Sequence, residues 1–210
     1  MFVNFSGAAI ALEPESLNCE AILQAWYPGQ AGGQAVAEVL FGDYNPAGKL
    51  PLTFYRNLAQ IPDFEDYNMT GRTYRYMKET PLFPFGHGLS YTTFKYGKLK
   101  MNDDKIAVGQ NLNLVIPVTN TGSRDGDEVV QVYLKKMDDT EGPVKTLRAF
   151  KRVRIPAGKT VEVKFSLDDT QLEWWDEQSN TMRVCPGNYT VMIGGTSCEK
   201  SLLSRAFTIR

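Results

Sequence analysis

Residues 25–33 read AWYPGQAGG, and residues 40–51 read LFGDYNPAGKLP. The apolar residues between and within these stretches recur at the spacing of one helix face, and they are Val36, Val39 and Leu40. The Gly32-Gly33 pair precedes this predicted helix, whereas Gly42 and the Asn45-Pro46 pair follow it and supply stop signals. The two stretches therefore frame one short helix between tight turns.

The residues before this helix predict a strand and another helix. An apolar strand is expected at Phe2–Phe5, and Ser16 is the expected cap of a helix that includes Cys19. Apolar residues recur at helical spacing through this second segment, namely Leu17, Ala21, Ile22, Ala25 and Trp26. After the glycine-framed helix, residues 50–54 favour a short edge strand, since Pro51 removes a backbone donor.

This front section, residues 1–55, contains few elements for an α/β layer. A stable layer of this class needs several strands with helices on both faces. Met1 also stands directly before an apolar strand. We therefore expect residues 1–55 to be the C-terminal part of an incomplete α/β sandwich domain, whose remaining strands belong to an N-terminal portion outside residues 1–210.

Residues 56–93 show little periodicity and are punctuated by proline and glycine. An irregular segment of this length is uncommon inside a compact domain and usually has a function or wraps a neighbour. We expect an extended connecting arm here.

From residue 94 onward the apolar pattern changes to a period of two. Alternation at Leu112–Val118, Val129–Leu134, Val161–Leu167 and Tyr189–Ile193 predicts four strands separated by turn signals. Asp168 is the expected cap of one helical turn between the last two of these strands. Short alternating strands at this spacing are typical of a β-sandwich spanning residues 94–210.

Three later blocks, with the opening stretches, carry a family resemblance. They read GRTYRY at 71–76, PFGHGLSYT at 84–92 and LRAFKRV at 147–153. In this order the chain resembles the C-terminal portion of glycoside hydrolase family 3, the β-glucosidases and β-xylosidases. The resemblance implies an α/β sandwich remnant followed by an all-β fibronectin type III-like, immunoglobulin-like β-sandwich. It also implies a retaining enzyme that removes terminal β-linked glucose or xylose from an oligosaccharide substrate.

The resemblance brings no catalytic residue into this chain. Retaining glycosidases hold two carboxyl groups about 5 Å apart, one as nucleophile and one as acid/base. In the family the nucleophile lies on an N-terminal barrel and the acid/base lies upstream in the α/β domain. Neither motif has a counterpart in residues 1–210. We therefore expect this chain to brace missing N-terminal barrel and α/β portions, and to be inactive by itself.

Three residues are candidates for a substrate-binding rim. Glu65 and Asp66 form an acidic pair in the arm, which in the family passes near the mouth of the active site. The competing interpretation is that Glu65 and Asp66 are ordinary solvated charges of a loop. His87 is the only histidine, and many family members carry tyrosine there, which favours a packing or rim role over proton transfer.

Composition argues against several other functions. With 23 Lys and Arg against 24 Asp and Glu, no basic surface for nucleic acid is expected. No apolar window reaches the roughly 20 residues of a membrane helix. One histidine and three scattered cysteines give no zinc spacing, and no cofactor is expected. Cys185 and Cys198 flank a predicted strand that would hold them apart, but their pairing stays open here.

An independent binding module is the alternative function. The β-sandwich could hold carbohydrate or a protein partner without catalysis, with the Trp174-Trp175 pair as a sugar platform. The resemblance implies a periplasmic or secreted parent enzyme, although residues 1–210 contain no recognisable targeting signal.

Overall fold

The computed structural model describes all 210 residues. The α-helices are α1 (Glu13–Asn18), α2 (Gly32–Phe41), α3 (Thr73–Tyr76) and α4 (Asp169–Leu172). The strands are β1 (Phe2–Asn4), β2 (Ile22–Gln24), β3 (Phe94–Tyr96), β4 (Lys100–Met101), β5 (Lys105–Ile106), β6 (Leu112–Asn120), β7 (Gly126–Lys136), β8 (Thr146–Ile155), β9 (Thr160–Leu167), β10 (Trp174–Asp176), β11 (Thr181–Arg183), β12 (Gly187–Gly194) and β13 (Leu203–Ile209). Single 3-10 turns occur at Leu58–Gln60 and Glu199–Ser201.

The front section contains a parallel sheet of only two strands. The predicted strand is confirmed as β1, and it pairs with β2 in the register Phe2–Ile22 to Asn4–Gln24. The predicted helix through residues 17–26 is wrong, because α1 begins earlier and ends at Asn18, before the strand β2. Its cap is also not Ser16, whose hydroxyl donates to the Glu13 carbonyl inside the helix. Short apolar runs fit either period, and parallel pairing with β1 decides for the strand.

The helix framed by glycines is confirmed as α2. Gly42 follows its last residue with φ 83°, and its N–H bonds the Val39 carbonyl. This left-handed conformation suits glycine, which has no Cβ to clash. The predicted edge strand at residues 50–54 is not a regular strand, since Phe54 forms only an isolated antiparallel bridge with Phe83 of the arm. The part of the arm around Phe83 thus runs alongside residues 50–54 instead of extending away from them.

The second section is a β-sandwich, as predicted. One sheet has the strand order β5-β13-β12-β7-β8, and in the other β6 pairs with β3 and β4 along one edge and with β9 along the other. Side chains from both sheets form one core cluster of 21 buried residues. Alternating burial along β6 and β9 is the expected result of a period-two pattern between a core and solvent.

The four strands predicted by alternation are confirmed within β6, β7, β9 and β12. The helical turn α4 is confirmed too: Asp168 accepts from the N–H of Thr170, and Gln171 completes a capping box. The three cysteines are free, and the Cys185 thiol contacts the Arg183 carbonyl.

Candidate functional site

The arm contains a loop, residues 61–72, that is held by its own polar groups. Asp63 accepts from the N–H of Glu65 at 3.1 Å, and Asp66 accepts from the N–H of Asn68 at 2.9 Å. Asn68 in turn accepts from the N–H of Thr70 at 2.9 Å. Such side-chain turns fix a backbone without a sheet or helix. The segment therefore has a defined shape despite its lack of periodicity.

Arg72 connects the two ends of this arm loop. Its Nε donates to the Asn68 carbonyl at 3.0 Å, and its Nη2 donates to the carbonyls of Asp63 (3.1 Å) and Asp66. A planar guanidinium has several donors in a fixed arrangement, so one side chain can bind several carbonyls at once. The preceding Gly71 has φ 76°, which turns the chain toward α3.

The arm loop borders an open cleft of about 370 Å³. Its lining residues are Ile61, Pro62, Phe64, Asp66, Tyr67, Met69 and Arg72. Phe64 is 94% exposed and Tyr67 is 91% exposed. Of the two acids expected at a rim, Asp66 lines the cleft and Glu65 does not.

His87 lies in a different place, where the end of the arm meets the front section. It stacks on Phe83 at 5.2 Å between ring centroids, and its carbonyl accepts from the N–H of Leu50. Burial, and then the charge of Lys49, lower the pKa of His87. These contacts include none of the residues that line the arm cleft, so the structure does not bring His87 together with Asp66.

We call the contact around His87 the interdomain seam, defined by Asn45, Lys49, His87 and Glu128. Lys49 Nζ lies 3.4 Å from a Glu128 carboxylate oxygen and donates to the Gly88 carbonyl at 2.9 Å. The other Glu128 oxygen accepts from the Tyr96 hydroxyl at 2.8 Å. The Glu128 side chain is only 5% exposed, so these partners replace the water that its carboxylate loses on burial.

Asn45 lies in the stretch 40–51, and its side-chain amide forms hydrogen bonds across the seam. Its amide nitrogen donates to the Asp125 carbonyl of the sandwich, and its oxygen accepts from the Ser90 hydroxyl and the Tyr91 N–H of the arm. One side chain thus joins three segments. A close backbone contact adds to this, since a Cβ on Gly88 would lie 2.2 Å from the Gly48 carbonyl oxygen.

Beside the seam is a polar cavity of about 400 Å³. Its arginines already have partners in the chain: Arg152 pairs with Asp127 at 2.8 Å and Arg154 pairs with Asp125 at 3.3 Å. Arg124 donates to the Gly42 carbonyl. The two ion pairs lie within the sandwich, whereas the Arg124 bond joins the sandwich to the front section.

The carboxyl groups with shifted pKa values do not fit acid catalysis. The pKa is lowered by hydrogen bonds chiefly from Ala157 for Asp125, from Thr170 for Asp168 and from Ser179 for Asp176. A general acid in glycoside hydrolysis needs a raised pKa instead. Ser90 near His87 bonds Asn45, which gives no nucleophile–base pair.

Sequence reasoning missed several residues of these regions. Phe64 and Tyr67 flank the acidic pair, and the only available signal was two aromatic residues in a segment without periodicity. Lys49 and Glu128 are far apart in sequence, so their ion pair had no local signal. Trp174 and Trp175 both lie on β10 of the β10–β11 hairpin, where Trp174 is buried and donates to Asp139, whereas Trp175 is half exposed.

Two further observations concern metals and membranes. No group of three or more His, Cys, Asp or Glu side chains is arranged to hold a metal ion. No helix combines the length and the apolar character needed to cross a bilayer.

Comparisons with known proteins agree with the expected resemblance. Residues 1–91 match the glycosyl hydrolase family 3 C-terminal domain, and residues 128–197 match the fibronectin type III-like domain. A xylan 1,4-beta-xylosidase from Xylanibacter ruminicola is 53% identical over 209 residues, which are 100% of this chain and 24% of the relative. A periplasmic beta-glucosidase from Salmonella typhimurium is 38% identical over 95% of this chain and 28% of its own length.

Solved structures give the same result for the fold. The β-glucosidase EmGH1 from Erythrobacter marinus superposes with a TM-score of 0.86 at 37% identity, covering 99% of this chain and 28% of that protein. The Listeria innocua β-glucosidase in complex with glucose has a TM-score of 0.82 at 28% identity, covering 99% and 30% respectively. The chain thus spans 24–30% of the length of these relatives, at their C-terminal end.

Proposed function

Since the chain belongs to glycoside hydrolase family 3, we propose that it works as the C-terminal part of a retaining β-glycosidase that releases terminal β-linked glucose or xylose. The observation that carries the proposal is the co-linear match of 209 residues with the Xylanibacter ruminicola xylosidase. In this proposal the nucleophile and the acid/base come from the portion that this match does not cover.

The proposed role of the chain is to brace those catalytic domains. The front section supports this role, because a two-stranded sheet leaves large apolar side chains in solvent. Phe5 is 54% exposed, Leu17 is 80% exposed and Phe41 is 84% exposed. Several large apolar side chains exposed in one section support a contact with another part of the enzyme. We propose boundaries of 1–55 for this bracing section, 56–93 for the arm and 94–210 for the sandwich.

We further propose that the arm contributes to the rim of the sugar pocket. Glu65 and Asp66 lie on an exposed, internally fixed loop, where carboxylate oxygens can accept from sugar hydroxyls. For His87 the stacking on Phe83 and the contact with Leu50 support a role in holding the rim rather than in contacting sugar. We also propose that the parent enzyme is periplasmic or secreted, as the name of the Salmonella relative indicates for that protein.

A chimera tests the proposed activity. Residues 1–210 replace the matching C-terminal portion of the Xylanibacter ruminicola xylosidase, and hydrolysis of aryl β-xyloside and aryl β-glucoside is measured. We expect turnover by the chimera, none by residues 1–210, and none by the upstream portion alone. NMR of the first product should show retained β configuration, as a double displacement requires. A folded but inactive chimera, or turnover by residues 1–210 alone, would contradict the proposal.

A further inference from the structure

We propose that Arg75 and Arg148 together bind one carboxylate group that residues 1–210 do not supply. Arg75 lies on α3, directly after the arm loop, and Arg148 lies on β8 of the sandwich. The carboxylate belongs either to a free acid, such as an acidic sugar, or to an acidic side chain of the upstream portion. The site is made entirely by this chain, so it does not depend on the glycosidase function proposed above.

Both guanidinium groups lack an acidic partner within the chain. Neither arginine takes part in any of the six ion pairs. The Nη2 of Arg148 donates to the Glu173 carbonyl at 2.7 Å, and the Nε atoms of Arg75 and Arg148 are buried without an acceptor. Partly buried charges are normally paired, since burial without a partner is costly. A buried donor without an acceptor also calls for an explanation, such as an absent ligand.

Backbone contacts hold the two arginines close together. The Arg75 carbonyl accepts from the N–H of Val144 at 2.7 Å. The Tyr74 hydroxyl accepts from the N–H of Leu147, next to Arg148, at 3.2 Å. Burial, and then the charge of Arg75, lower the pKa of Arg148. The two like charges therefore act on each other, and a bound anion relieves this repulsion.

The surroundings fix both side chains before a ligand binds. Arg75 lies over the Tyr76 ring, with its guanidinium carbon 5.6 Å from the ring centroid, and Arg148 lies over the Trp174 ring at 4.9 Å. A guanidinium that stacks by its face keeps its N–H edges for an acceptor. At the start of α3, Thr73 has φ 55°, a left-handed conformation that a β-branched residue rarely adopts. Strain of this kind clusters at functional sites, and here it directs the helix that carries Arg75.

The local charges favour a carboxylate over a doubly charged phosphate. Against the two arginines, Glu173 is the one carboxylate whose charge raises the pKa of Arg148. Both oxygens of Asp139 already accept at 2.7 Å, one from the Trp174 Nε1 and the other from the N–H of Gly142. One net positive charge remains, which a single carboxylate neutralises. Carboxylates also fit the paired donors of a guanidinium.

Arginine side-chain NMR of 15N-labelled residues 1–210 tests the site. Sodium acetate is titrated against sodium chloride of equal ionic strength, and the Nε–H signals of Arg75 and Arg148 are followed. Each Nε belongs to the same delocalised group as its Nη atoms, so its signal reports binding at either edge. We expect both signals to shift and saturate with acetate only. Arg75→Gln should weaken acetate binding at Arg148 roughly tenfold, whereas Arg75→Lys, which keeps the charge, should weaken it less.

Arg205→Gln is the matched control, because Arg205 is exposed on β13 and its loss should leave acetate binding unchanged. Arg148→Gln also removes the contacts with Glu173 and Trp174, so the Arg75 variants decide the outcome if it does not fold. Two results would overturn the site. One is the absence of a saturating shift with acetate, and the other is an unchanged acetate affinity at Arg148 in Arg75→Gln.

The chimera separates the two sources of the carboxylate. Saturation-transfer NMR detects bound acetate through its methyl signal, even on a large protein. Transfer that Arg75→Gln removes assigns the site to a free acid. An absence of transfer, together with a larger loss of stability from Arg75→Gln in the chimera than in residues 1–210, assigns it to an upstream side chain. Transfer that persists in Arg75→Gln, or its absence without such a stability difference, overturns the proposal.

Discussion

The sandwich and the front section differ in how completely they bury their apolar residues. In the sandwich, 21 residues form one sealed core between two sheets. In residues 1–55 only six residues are buried, and Phe54 is the only large aromatic one among them. Both regions are rich in apolar side chains, so composition does not explain the difference. The number of paired strands explains it, since two strands of three residues each cannot cover the apolar face of a helix layer.

Truncating a core side chain of the sandwich should have the largest effect on the free energy of unfolding. Leu134 on β7 is fully buried, and Leu134→Ala is expected to lower the free energy of unfolding by about 2–5 kcal/mol, because it leaves a cavity. Urea unfolding followed by Trp fluorescence measures this. A loss below about 1 kcal/mol would mean that the core is not close-packed.

Breaking the interdomain seam should have an intermediate effect. Lys49→Met leaves the Glu128 carboxylate buried without its cation, and we expect a loss of roughly 1.5–3 kcal/mol in unfolding free energy. The double variant with Glu128→Gln should lose less than the sum of the two single changes, because the charges act as a pair. Lys95→Met, at an exposed lysine, serves as the control. Additive losses would show that the two sections are not coupled through this pair.

The seam should also make stability depend on pH. Burial, and then Lys49, lower the pKa of His87 in the folded chain, so the unfolded chain binds a proton more readily. The His87 contribution is therefore complete above the unfolded pKa of about 6.5 and declines as pH falls below it. Urea midpoints at pH 7.5 and pH 5.5 should differ less in His87→Phe, which keeps an aromatic ring against Phe83. Equal pH slopes in the two proteins would contradict this assignment.

The smallest effect is expected in the front section. Phe41 ends α2 and is 84% exposed, so Phe41→Ser should change the unfolding free energy of residues 1–210 by about 0.5 kcal/mol or less. The same substitution in the chimera should cost more, because the ring is proposed to pack there. Equal costs in both settings would show that this side chain stays in solvent.

The sequence predicted the sandwich better than the front section for a physical reason. Alternation along β6, β7, β9 and β12 is local, and one face of each strand meets the core. β8 escaped detection because Arg148, Lys151, Arg152 and Arg154 interrupt its pattern. β2 was mistaken for helix because its apolar residues fit both periods, and its partner β1 lies about twenty residues earlier.

The candidate site shows the same division between local and distant signals. The acidic pair Glu65-Asp66 pointed to the arm, but the exposure of Phe64 and Tyr67 depends on a loop fixed by Arg72. The Arg72 side chain bonds carbonyl groups several positions away in a segment with no regular period. The Lys49–Glu128 contact depends on how the two sections pack, which no local pattern contains.

In the proposed enzyme, the front section forms one half of an interface with the catalytic part of a glycosidase. Hydrogen–deuterium exchange with mass spectrometry tests it most directly, on residues 1–210 alone and joined to the upstream portion of the xylosidase. We predict fast exchange at β1, β2 and α2 in the free chain and strong protection there after joining, with β6, β7 and β12 unchanged. Protection of the front section equal to that of the sandwich in the free chain, or no gain on joining, would contradict the claim.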